Sequence, residues 1–77
     1  MQVKLLAFAS AAAALGWRER TVECFESDTP FDLFNRVAPG FAPGKSRVAV
    51  DCEYADWDKA VGPGAGEIAI IPPVSGG

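Results

Sequence analysis

Histidine is absent from this chain of 77 residues, and cysteine occurs only as Cys24 and Cys52. Without an imidazole the chain lacks the commonest general base near neutral pH. Ser-His and Cys-His nucleophile pairs are excluded. Two cysteines without histidine cannot close a four-ligand zinc site, so no metal is expected. A Cys24–Cys52 disulfide competes with a plainer reading, which is favoured: two small, half-buried thiols on strands. The seven Lys and Arg residues form no run and the net charge is −3, so a basic nucleic-acid patch is not expected. A membrane-length apolar segment is also missing. Residues 5–15 are apolar except for Ser10 and follow Lys4, an arrangement that looks like a secretory signal. The run is too short to span a bilayer. Its removal would strip the first strand from an already small domain. It therefore reads as a strand plus a short helix in a cytoplasmic protein with no membrane partner.

What is present suits one small globular domain: 49% hydrophobic and 22% charged residues, a balance that argues against disorder. Residues 2–8 alternate, with Val3, Leu5 and Ala7 on one face and Lys4, Leu6 and Phe8 on the other. Apolar residues on both faces suggest an interior strand. Residues 10–15 predict a helix with Ser10 as N-cap and Gly16 as its stop. Residues 18–25 predict a second strand, antiparallel to the first. Thr29, Pro30 and Asp32 are a helix-start signal. Phe31, Phe34 and Val37 or Ala38 then share a face beside Leu33, and the helix ends at Pro39-Gly40. A strand over 47–50, a turn at Asp51-Cys52, a return strand over 53–57 and a helical turn over 58–61 follow. The glycine-rich stretch 62–66 lacks a lysine and phosphate-loop spacing, so it reads as a turn. The last strand spans 67–71, with Ile68 and Ile70 opposite Ala69 and Ile71. The fold class is α+β: a mixed sheet of four to five strands with one main helix on one face. If the last strand lies parallel beside the first, this is a β-grasp.

The stretch Ile70-Ile71-Pro72-Pro73-Val74-Ser75-Gly76-Gly77 divides the chain into a domain over 1–71 and an extended, flexible arm over 72–77. Proline cannot donate to a strand ladder, so Pro72-Pro73 ends the sheet. Six extended residues reach roughly 20 Å. Gly76 and Gly77 carry no Cβ and can thread a narrow channel. The arm reads as a device for delivering the Gly77 carboxylate into another protein's active site.

Residues 67–77, with their strand-Pro-Pro-Val-Ser-Gly-Gly ending, resemble the C-terminus of the molybdopterin synthase small subunits, a family of ubiquitin-like sulfur carriers. The strand over 3–9 and Ala49-Val50-Asp51 also resemble family segments. Three features depart from the pattern. Ala11-Ala12-Ala13 replaces Leu-Arg-Glu, Asp51 stands where Asn is usual, and Gly66 where Asp is usual. The resemblance implies a ubiquitin-like β-grasp fold. It implies that an ATP-dependent, ubiquitin-activating-like enzyme adenylates Gly77, and that a sulfur donor converts it to a thiocarboxylate. Pro72, Pro73, Val74, Ser75 and Gly76 would then insert into the synthase large subunit, in a heterotetramer of two small and two large subunits. The thiocarboxylate would sulfurate a pterin precursor in molybdenum cofactor biosynthesis. On this reading the chain binds no cofactor and has no self-contained active site; it is the sulfur-donating subunit of a sulfurtransferase complex. Phe8, Tyr54 and Ile71 are the expected partner-binding surface. The competing readings are a carrier for another pathway, such as thiamine synthesis, a ubiquitin-like protein modifier, and a binding domain with an idle tail.

Overall fold

In the first strand, β1 (Gln2–Ala7), Val3, Leu5 and Ala7 are buried, while Lys4 and Leu6 on the other face are half-buried. Such a strand needs neighbours on both edges, and it has them. β2 (Glu19–Glu23) pairs with it antiparallel and β5 (Glu67–Ile71) pairs with it parallel. β3 (Arg47–Val50) pairs antiparallel with β5, and β4 (Glu53–Ala55) antiparallel with β3. The sheet order is β2-β1-β5-β3-β4. A central parallel pair between the first and last strands, with the helices on one side, is the β-grasp arrangement. The computed structural model describes residues 1–73. Val74, Ser75, Gly76 and Gly77, most of the expected arm, lie outside the described residues.

Two helices cover one face. α1 (Ala9–Leu15) begins one residue earlier than the sequence suggests, and Ser10 is not its cap. Phe8 holds the N-cap position without a side-chain bond. Its carbonyl accepts from the N–H groups of Ala11 and Ala12. The reason is tertiary: β1 stops pairing at Ala7, opposite Ile70, and the chain turns at once through Ala9, φ 49°. Gly16 ends the helix as expected, at φ 86°, a conformation that suits a residue without Cβ.

α2 (Pro30–Val37) starts with the predicted capping box: Thr29 Oγ1 accepts from the Asp32 N–H, and Asp32 accepts from the Thr29 N–H, both at 3.0 Å. Its buried face is Pro30, Leu33 and Phe34, with Val37 half-buried. Phe31, expected on this face, lies at its border and is 37% exposed. Phe34 is the hub of an aromatic cluster, with ring centroids 6.2 Å from Trp17, 5.3 Å from Phe41 and 5.7 Å from Trp57. The buried cluster joins these to Val3, Leu5, Val48, Ile68 and Ile70 from the strands and Ala11 from α1.

Four further expectations need correction. β2 is shorter than 18–25, although the Cys24 N–H continues the ladder by donating to the Met1 carbonyl. β4 ends at Ala55, short of Trp57, because the Trp57 indole is drawn under the sheet, where its N–H donates to the Ser46 carbonyl at 2.9 Å. Residues 58–61 form no helical turn; the Val61 and Gly62 N–H groups donate instead to Asp28 and Glu26 carbonyls. Both cysteines are free thiols, but only Cys24 is buried, and Cys52 is exposed on the β3–β4 turn. No helix among the described residues is long and apolar enough to cross a membrane.

Candidate docking face and tail exit

β5 lies at the centre of the sheet, so the arm leaves from the middle of the domain. Its last rungs pair Ile70 with Ala7 and Ile71 with Arg47. Pro72 has no N–H to continue the ladder. Pro72 is half-buried and Pro73 exposed. Beside them runs a groove of about 510 Å³ between α1 and the 38–42 loop, to which Leu15, Phe41 and Ile70 contribute.

The face of the sheet away from the helices carries a row set by register. Leu6 of β1 pairs with Ala69 of β5, Ala69 with Ala49 of β3, and Ala49 with Tyr54 of β4. Strand alternation makes all four point the same way. With Phe8 and Ile71 they line a depression of about 320 Å³, rimmed by Cys52 and Glu67. Phe8 is 51% and Tyr54 62% exposed. The Arg47 guanidinium lies 3.7 Å from the centroid of the Tyr54 ring, a cation–π contact that holds both side chains.

Phe8, Tyr54 and Ile71, expected from sequence as a partner surface, are thus brought onto one concavity, while Pro72 and Pro73, which follow Ile71, line the groove beside α1. Val74, Ser75, Gly76 and Gly77 fall outside the described residues. Sequence reasoning missed Leu6, Ala69, Ala49, Arg47 and Cys52. Leu6 and Ala69 were legible from alternation alone. Ala49, Arg47 and Cys52 required the β3–β5 register.

The departures at positions 51 and 66 meet in space. Asp51, at φ 49°, accepts from the Gly66 N–H at 3.0 Å and the Glu67 N–H at 2.9 Å. Its own N–H donates to the Glu67 carbonyl at 2.8 Å. These bonds clamp the start of β5 to the β3–β4 turn. Of the three alanines in α1, Ala11 packs into the core, Ala12 is half-buried and Ala13 is exposed. An apolar concavity next to a strand that ends in two prolines is suited to protein recognition with an emerging peptide.

No family model matches the chain. A curated protein from Caenorhabditis briggsae, the molybdopterin synthase sulfur carrier subunit, is 38% identical over 84 aligned positions that cover all of this chain and 99% of that one. Among solved structures, small archaeal modifier protein 1 from Haloferax volcanii superposes with a TM-score of 0.74 at 24% identity, over the full length of both chains. A Pyrococcus furiosus protein assigned as molybdopterin converting factor subunit 1 superposes with a TM-score of 0.69 at 23% identity, over 96% of this chain and 99% of that one. These structures share the β-grasp fold. Given the full-length relationship to the C. briggsae protein, the chain belongs to the molybdopterin synthase sulfur carrier subunit family.

Proposed function

We propose that this chain carries sulfur as a thiocarboxylate at Gly77 and donates it to a pterin precursor inside a molybdopterin synthase large subunit. In the first step a Gly77 carboxylate oxygen attacks the α-phosphorus of ATP on a ubiquitin-activating-like enzyme, and pyrophosphate leaves. A donor supplying sulfur at the sulfide level then attacks the acyl carbon, and AMP leaves. The resulting thiocarboxylate enters the large subunit, where its sulfur forms a bond to a carbon of the pterin precursor. Water then cleaves the acyl–sulfur bond, leaving the sulfur on the precursor and regenerating the Gly77 carboxylate. The acid–base groups belong to the partners, which agrees with a chain that has no histidine. Pro72, Pro73, Val74, Ser75 and Gly76 form the inserting arm, and Phe8, Tyr54 and Ile71 dock the domain.

The observation that carries this reading is the position of Pro72. It ends the central strand directly after Ile71, which lines the exposed apolar concavity, so docking of that face would bring the start of the arm close to the partner. The name of the C. briggsae relative favours the pterin pathway over a thiamine-type carrier or a protein modifier. The test is an intact mass after incubation with an activating enzyme, ATP and a sulfur donor. A mass gain equal to exchange of one oxygen for sulfur at Gly77 is expected. No gain under conditions that charge a known carrier would sink the proposal.

A further inference from the structure

We propose that Arg47 and Glu67 fix the direction in which the apolar sheet face docks on the large subunit: the receiving surface carries a carboxylate opposite Arg47 and a cation opposite Glu67. The inference rests on the docking reading above and adds the chemistry of the partner's surface. Apolar burial is non-directional, so the row Leu6, Ala69, Ala49 and Tyr54 does not by itself distinguish one rotation of the partner from another. The arm, however, leaves the sheet at one end only, after Ile71, so sulfur delivery requires a fixed rotation. Charges placed unequally on the face supply it.

Register places both charges on this face. Arg47 pairs with Ile71 and Ala49 with Ala69, and strand alternation turns Arg47 and Glu67 the same way as Ala69. Arg47 lies on the Tyr54 ring, 3.7 Å from its centroid, and Tyr54 and Glu67 both line the depression. Glu67 opens β5 and Ile71 closes it, so at ~3.3 Å per residue the two charges stand about 13 Å apart along the strand. The other charges of the face are compensated or add to this polarity. Lys4, the cross-strand neighbour of Glu67, has its ammonium 4.0 Å from Glu19. Lys59 lies 3.4 Å from Asp56, and the N-terminal amine 3.3 Å from Glu23. Asp51, whose Oδ1 accepts from the Glu67 N–H at 2.9 Å, reinforces the negative end. Among the described residues, neither Arg47 nor Glu67 forms an ion pair.

Arg47 is the better prepared of the two. Stacking on Tyr54 fixes its side chain before binding, so less freedom is lost on contact. The guanidinium edge keeps N–H groups that can grip a carboxylate in bidentate fashion. Because Arg47 pairs with Ile71, this contact sits beside the rung from which the arm starts. With the partner turned around, its carboxylate would meet Glu67 and its cation Arg47, and like charges would oppose docking.

The test titrates the molybdopterin synthase large subunit of the same organism with the full-length chain as wild type, R47K, R47Q, R47E and E67K. In about 50 mM salt R47E and E67K should each bind about tenfold or more weakly, with R47K and R47Q between wild type and R47E in that order. Circular dichroism should show all variants folded. Equal losses in R47K, R47Q and R47E would overturn the inference, because they would leave Arg47 only a packing role on Tyr54. Wild-type affinity in R47E or in E67K would also overturn it. In the R47K complex a carbodiimide should join position 47 to an Asp or Glu of the large subunit, located by mass spectrometry, and a complex that forms without this link would count against the inference in the same way. If Phe8→Asp weakens binding while R47E does not, the docking reading stands and this inference falls. Failure of the wild type to bind would refute the docking reading itself, and this inference with it.

Discussion

Asp51 Oδ1 lies 3.0 Å from the backbone nitrogen of Gly66, and a Cβ built on Gly66 would come within 3.3 Å of that same oxygen. Two of the departures from the family pattern, at positions 51 and 66, are therefore one local solution. A carboxylate at 51 accepts two backbone N–H groups, and the neighbour that could crowd it has no side chain. A second carboxylate at 66 would bring like charge as well as bulk.

The first prediction follows from that pair. Asp51→Ala removes the acceptor and places alanine at φ 49°, so it should cost about 2 kcal/mol in urea unfolding. Asp51→Asn keeps one carbonyl acceptor and should cost less than about 1 kcal/mol. Gly66→Asp should destabilise the present chain but be tolerated when combined with Asp51→Asn, with a coupling of about 1 kcal/mol in a double-mutant cycle. Additive effects would show that the two departures are independent.

A second prediction concerns acid stability. Arg36 makes two 3.1 Å bonds to Asp28, and its Nη1 donates to the Glu23 carbonyl at 2.9 Å. Hydrogen bonding by Arg36 chiefly holds the Asp28 carboxyl below its ordinary range; burial opposes this, and the Phe25 N–H and the Arg36 charge assist. Since the folded pKa lies below the unfolded one, the stabilisation is complete above the unfolded value of about 3.9. It is lost as pH falls through the folded value. Arg36→Ala should lower stability at neutral pH by about 1 kcal/mol, a modest figure because the arginine is partly solvated, and should flatten the acid limb of the stability curve.

The docking face gives a third. Phe8 and Tyr54 are more than half exposed, so replacing them should leave the fold intact. Phe8→Asp and Tyr54→Ala should each weaken association with a large subunit by about tenfold or more, as for central aromatic residues at interfaces, while the unfolding midpoint stays nearly constant. Unchanged affinity in both variants would remove this face from the interface.

The thiols give a fourth. Cys52 is exposed, whereas Cys24 is buried, its Sγ 3.3 Å from the Phe25 carbonyl and its pKa raised chiefly by desolvation. One thiol per chain should react rapidly with a maleimide at neutral pH, and the second only in denaturant. Because Cys52 rims the apolar depression, a bulky label there should also hinder large-subunit binding. Two rapidly reacting thiols would contradict the burial of Cys24.

Local chemistry made part of this protein legible from its sequence alone. The Thr29–Asp32 capping box, the Gly16 stop, the alternation of Ile68 and Ile70 and the break at Pro72 each depend on residues a few positions apart, so pattern and propensity suffice. The family ending in Pro-Pro-Val-Ser-Gly-Gly was equally readable. Tertiary structure decided the rest. Parallel pairing of β1 with β5 put Phe8 and Ile71, more than sixty residues apart, on one concavity. The β3 register set Tyr54 opposite Ala49 and brought Arg47 onto its ring. Burial against Trp17, Phe41 and Trp57 made Phe34 the hub and left Phe31 at the border. A register is selected by which faces can be buried together across the whole chain, so no window of neighbouring residues contains it.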